Sequence, residues 1–128
     1  MKEIPTDVWP QLVASLLAVN SYSLLRARLL VPQLVESSLS EPEEFPSVGE
    51  VEVVKRLWRA GYRRGPFMAR LMAERLIALG EFVSAKGEPE CRAILLGDDS
   101  IAIHSLLEPV KGIGPVVIKN FLTLRDLM

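Results

Sequence analysis

One cysteine, Cys91, and one histidine, His104, serve the whole chain of 128 residues. A lone cysteine excludes an internal disulfide and any four-cysteine zinc or iron–sulfur site built from this chain alone. A lone histidine leaves little for a His-based metal centre. Aromatic residues make up only 6% of the chain. No uninterrupted apolar run approaches the ~18 residues of a membrane-spanning helix, so no membrane partner is expected. The opening Met1-Lys2-Glu3-Ile4-Pro5 carries no signal-peptide pattern. The expected location is intracellular, cytoplasmic or nucleoid-associated, and not secreted. A formal net charge of −1 argues against an indiscriminate nucleic-acid binder.

What is present favours helix. Hydrophobic residues make up 49% of the chain, and Leu, Ala, Val, Arg and Glu dominate. The length fits one domain, residues 1–128, large enough to bury a real core. Thr6 can cap a helix running to about Ala18, where Val8, Leu12, Leu16 and Val19 recur at helical spacing. A second helix runs from Ser23 into the Leu39 region, kinked or split at Pro32. Ser37 to Ser47 reads as loop. Ser47 with Glu50 forms a capping box for a helix ending at Gly61. Phe67 to about Ser84 is a long amphipathic helix in which Gly80 marks a break. Gly87 closes it, and Glu88-Pro89 opens a short helix to Leu96. Asp98, Asp99 or Ser100 caps the next helix, and the last runs from Pro115 towards Met128. The expectation is an all-α domain of six or seven helices, with Leu16, Leu57, Leu107 and Ile113 buried.

Charge is unevenly placed. Glu36, Glu41, Glu43, Glu44, Glu50 and Glu52 follow one another with no base between them. Lys55, Arg56, Arg59, Arg63, Arg64, Arg70 and Arg75 then stand against Glu74 alone. Such asymmetry fits a local anion-binding face. It also fits two solvated helices that pair acid with base.

Near the C-terminus stands Leu107-Glu108-Pro109-Val110-Lys111-Gly112-Ile113-Gly114-Pro115-Val116-Val117-Ile118. This stretch resembles a helix-hairpin-helix motif, which grips a DNA backbone without reading bases. Glycine lets a backbone approach a ligand closely. Unpaired N–H groups at the start of the next helix can take a phosphate. Pro115 suits a first helical turn, and Ile113 would anchor the hairpin in the core.

Two further segments extend the likeness. Trp9-Pro10-Gln11-Leu12-Val13-Ala14-Ser15-Leu16-Leu17-Ala18-Val19-Asn20-Ser21 is similar to the opening helix of the endonuclease III-like DNA glycosylases. In that family a terminal amide reaches into the lesion site, and Asn20 takes its place here. Val54-Lys55-Arg56-Leu57-Trp58-Arg59-Ala60-Gly61-Tyr62-Arg63-Arg64-Gly65 is similar to the family's helix-to-loop segment. There a bulky residue after the glycine wedges between bases, which would be Tyr62. The order of the three segments resembles the family's six-helix barrel domain, over about Trp9 to Leu124.

The resemblance implies DNA contacts at Lys111, Gly112, Ile113, Gly114, Lys119, Arg59, Arg63, Arg64, Tyr62 and Asn20. It also implies a monovalent cation on the backbone carbonyls of Glu108, Val110 and Ile113. The preferred ligand would be damaged or distorted duplex, which is cheaper to open. Departures bear on chemistry. Bifunctional members carry a sugar-attacking lysine two residues after the second hairpin glycine, and here that residue is Val116, with no nucleophile. The family's downstream aspartate is not reached before Met128, and its four-cysteine cluster is absent. Ile118 occupies the small-residue position between the two hairpin helices. Trp9, Trp58 and Cys91 read as core residues and His104 as half-buried. The leading expectation is a DNA-binding domain that is non-catalytic alone. The alternatives are a subunit of a split glycosylase completed by a second chain, and a protein-interaction module that has lost DNA.

Overall fold

A computed structural model describes residues 7–127. Among the described residues the chain is all-α, with eight helices and no strand. They are α1 (Val8–Leu17), α2 (Leu24–Leu29), α3 (Val31–Glu36), α4 (Phe45–Arg59), α5 (Pro66–Lys86), α6 (Glu88–Leu96), α7 (Ser100–Leu107) and α8 (Pro115–Asp126). A single 3-10 turn, Pro42–Glu44, precedes α4.

The expected helix from Ser23 to Leu39 is two helices. Ser23 caps α2 by accepting from Arg26 N at 3.1 Å, and Pro32 falls in the first turn of α3, where its missing donor costs nothing. Asp7, rather than Thr6, caps α1, because its side chain accepts from the Trp9 N–H; Thr6 lies outside the described residues. The Ser47–Glu50 capping box does not form. Gly49 breaks the helix between the two residues with φ of 86°. Ser47 Oγ instead donates to the Glu44 carbonyl at 2.8 Å, and Glu50 accepts from Arg70.

Gly80 does not break α5. It is buried at the crossing of α5 and the 3-10 turn, where an added Cβ would lie 2.2 Å from Pro42 O and 2.6 Å from Pro46 Cδ. Absence of a side chain is what lets these backbones touch. Asp99 is the cap of α7, its Oδ1 accepting from both Ile101 N and Ala102 N.

One continuous apolar core joins all the helices. α1 is buried along its whole length and lies against α2, α3 and α8. α4 lies along α5, and α6 bridges α5 and α7. Leu16, Leu57, Leu107 and Ile113 are all buried, as is Ile118. The start of the described chain is fastened to α6. Arg92 pairs with both Asp7 and Glu88, and Trp9 Nε1 donates to Glu88 Oε2 at 2.8 Å.

Candidate nucleic-acid interface

Three segments far apart in the chain carry the candidate residues, and the first two are in direct contact. The first is the turn after α1. Asn20 and Ser21 both take left-handed backbone conformations, with φ of 52° and 74°. Asn tolerates this region, whereas Ser seldom occupies it, and such residues cost about 1–3 kcal/mol unless their surroundings hold them. The surroundings do so from two directions. Arg64 Nη1, from the loop between α4 and α5, donates to Val19 O at 3.1 Å. Asn120 Nδ2, from α8, donates to Ala18 O at 3.3 Å. Asn20 itself is exposed at the tip.

The second segment is Gly61–Gly65. Tyr62 was expected to be the residue that wedges between bases. The structure overturns that: Tyr62 is 0% exposed, with its ring 5.2 Å from that of Tyr22. In this position it cannot wedge between bases. Trp58 departs from expectation in the other direction. It is 36% exposed rather than core, with Nε1 donating to Arg64 O at 3.2 Å. It lines a shallow apolar groove with Val51, Val54 and Pro66. Trp9 is buried as expected, and so is Cys91, whose thiol burial pushes to a higher pKa. His104 is half-buried, with Nδ1 3.8 Å from Glu108.

The third segment is the hairpin. Lys111 is exposed, Gly112 and Gly114 are half-buried, and Ile113 is buried. Gly112 has φ of 89°, a conformation that disfavours any side chain. An added Cβ there would lie 2.6 Å from Cδ of Arg75, whose stem crosses the glycine. Gly114 differs: its φ is −111°, and an added Cβ meets nothing within 4 Å. No side chain caps α8. Pro115 brings no N–H, and the next amides of the first turn have no partner within the helix. Val110 O already accepts from Ile113 N at 3.1 Å, leaving one lone pair towards any cation.

Val116 is 64% exposed and stands one helical turn before Asn120, hence on the face that meets Ala18. Lys119 is exposed on the adjoining face.

The acidic and basic runs are neighbours and partly neutralise each other. Arg56 pairs with Glu44 and Glu52, and Arg70 pairs with Glu50. Hydrogen bonding to Arg56 holds the Glu52 carboxyl below its usual pKa. The bases nearest the three segments behave differently. Among the described residues Arg26, Arg63, Arg64, Arg75, Lys111 and Lys119 make no ion pair with a carboxylate. Arg26 lies over the Tyr22 ring, 4.5 Å from its centroid. Sequence reasoning missed Asn120, Tyr22 and Arg26 and had Arg75 only as a member of the basic run, because their places depend on contacts across the fold.

No known protein family, curated protein or solved structure matches the chain.

Proposed function

We propose that this chain binds the sugar–phosphate backbone of duplex DNA through the hairpin Lys111–Gly114 and the two turns beside it. The reading takes the chain as the helix-hairpin-helix part of an endonuclease III-like fold. The observation that carries it is convergence. The turn after α1 is tied to the α4–α5 loop by Arg64 on Val19 O and to α8, the helix that leaves the hairpin, by Asn120 on Ala18 O. Arg63, Arg64, Lys111 and Lys119 of these segments make no ion pair with a carboxylate among the described residues, and phosphate would supply the missing charge.

Each part has a role. Lys111 and the first amides of α8 hold one phosphate. Arg63 and Arg64 meet another, with Arg59 at the edge. Asn20, at the tip of a strained turn, reaches into a distorted duplex, and bent or damaged DNA binds best because it opens at lower cost. A monovalent cation on the carbonyls of Glu108, Val110 and Ile113 would add positive charge at the hairpin phosphate. Val116 brings no nucleophile to the sugar. The chain alone therefore binds without cutting, and a second chain carrying the reactive groups would be needed for catalysis.

Gly114→Ala tests the reading. Its backbone suits alanine and the new methyl has room within the protein, so circular dichroism should be unchanged. The methyl would stand where the DNA backbone must approach. Fluorescence anisotropy with labelled intact, abasic and mismatched duplexes should show roughly tenfold weaker binding, the loss of about one charged hydrogen bond. Unchanged affinity in the folded variant, or no binding of any duplex by the parent, would favour the protein-interaction reading. Borohydride treatment with abasic duplex should trap no adduct. A trapped adduct would point first to Lys119, and base release by the purified chain would end the non-catalytic reading.

A further inference from the structure

Behind the hairpin lies a group of side chains whose chemistry is incomplete. The Tyr62 hydroxyl is fully buried and finds no acceptor for its proton; Arg64 approaches it only as a donor. Buried polar groups are normally satisfied, and one left alone costs about 1–3 kcal/mol. The charges of two guanidinium groups, Arg64 and Arg75, act on this hydroxyl. Neither makes an ion pair with a carboxylate among the described residues. Arg64 uses Nη1 on the Val19 carbonyl, and its other donors remain. Arg75 makes no hydrogen bond to any described residue. Its stem lies across Gly112, in the space a side chain there would fill. A third guanidinium, Arg26, covers the outer face of Tyr22, whose ring packs on Tyr62.

A hydroxyl donor without an acceptor and two guanidinia without a carboxylate describe the inside of an oxyanion site. We propose that Tyr62, Arg64 and Arg75 form a phosphate site behind the hairpin, in which the Tyr62 hydroxyl donates to one phosphate oxygen and the two guanidinia hold the others. Guanidinium geometry matches paired oxygens of a tetrahedral anion. Arg75 has no hydrogen bond to a described residue to give up, so turning its head towards the anion, from a stem that lies across Gly112, is a side-chain rotation. The glycine at 112 is what gives that stem its resting place. The site takes phosphate whether it comes from a DNA backbone or from a small phosphate compound, and it does not depend on DNA binding by the hairpin.

Thermal unfolding in inorganic phosphate against chloride at matched ionic strength reads the site directly. The parent should show a higher Tm in phosphate. Tyr62→Phe, which keeps the ring, and Arg75→Met, which keeps the stem over Gly112, should both fall back to the chloride value. Arg75→Lys, which restores the charge, should recover part of the rise. Arg70→Met, on the same helix but paired with Glu50 at the surface, should keep the full rise. Phosphate also stabilises proteins generally by exclusion from their surface. An equal rise in the parent and all variants would therefore overturn the site, as would no rise in the parent.

Duplex DNA separates the two sources. If a backbone phosphate occupies the site, Arg75→Met lowers the slope of log affinity against log salt by about one contact's worth. Tyr62→Phe then weakens binding roughly tenfold without changing that slope, because the hydroxyl is neutral. If the phosphate rise is lost in both variants while DNA binding is intact or absent, the site belongs to a small phosphate compound. DNA binding in the parent with no phosphate-specific response anywhere would leave the hairpin reading standing and this site refuted.

Discussion

At the scale of single residues, Tyr62 concentrates the unusual energetics. Its ring is useful to the core, through Tyr22, while its hydroxyl is not satisfied there. Tyr62→Phe should therefore leave stability in chloride within about 1 kcal/mol of the parent, or raise it. Urea denaturation measures this, and a loss well beyond that range would mean the hydroxyl has a partner in the folded state. Burial raises the Tyr62 pKa above the ordinary 10.0, while the charges of Arg64 and Arg75 oppose the rise. A raised folded pKa means the unfolded chain ionises first. Stability then falls as pH climbs through the ordinary tyrosine value towards the raised one. The parent should lose stability above pH 10 more steeply than the phenylalanine variant, and parallel curves would contradict the shift. Local sequence could not place this residue. An aromatic beside Gly61 in a basic turn reads as exposed; only Tyr22, brought from a segment forty residues earlier, gives it a core to join. Trp58 is the mirror case, helical in its spacing yet left at the surface because no element lies over its face of α4.

At the scale of elements, the ends were the most legible part. Ser23, Gly87, Asp99 and Pro115 each mark a boundary found in the structure, because caps and starts depend on nearest neighbours. Where the structure departs, a distant partner or an uncommon backbone angle decides. The left-handed turn at Gly49 dissolved the Ser47–Glu50 box. Gly80 read as a weak point of α5 and is instead the notch that seats the 3-10 turn. Gly80→Ala should destabilise by about 1–3 kcal/mol despite alanine's better helix propensity. The methyl would meet the backbone carbonyl of Pro42, which has no rotamer to yield. An unchanged urea midpoint would show that the turn shifts freely. The hairpin's inward anchor, Ile113, was legible from its place between two glycines. Its neighbour Arg75 was not, since nothing within ten residues of it announces Gly112 as its seat.

At the scale of the whole molecule, the candidate interface is a product of long-range closure. The hydrogen bonds that brace the Asn20 turn join residues 45 and 102 positions apart. The face therefore exists only when α1, the α4–α5 loop and α8 are all in place. Charge follows the same division. Arg56 on α4 and Arg70 on α5 are paired with acids, while Arg75 and the bases around the three turns are not. A net charge near zero conceals this, because an average over the chain says nothing about which cations are already answered.

The two tryptophans occupy opposite optical environments. Trp9 is 2% exposed, while Trp58 is 36% exposed and hydrogen-bonded to the carbonyl of Arg64 in the loop that reaches the turn after α1. Acrylamide should quench one emitting population and spare the other, so the Stern–Volmer plot should curve downward. The accessible fraction should disappear in Trp58→Phe. Since Trp58 is tied to the loop bearing Arg63 and Arg64, occupation of that loop by DNA should reduce its quenching while Trp9 emission stays constant. The protein thus carries its own unlabelled reporter at the edge of the proposed interface. A straight plot, or quenching indifferent to saturating duplex, would place bound DNA elsewhere on the surface.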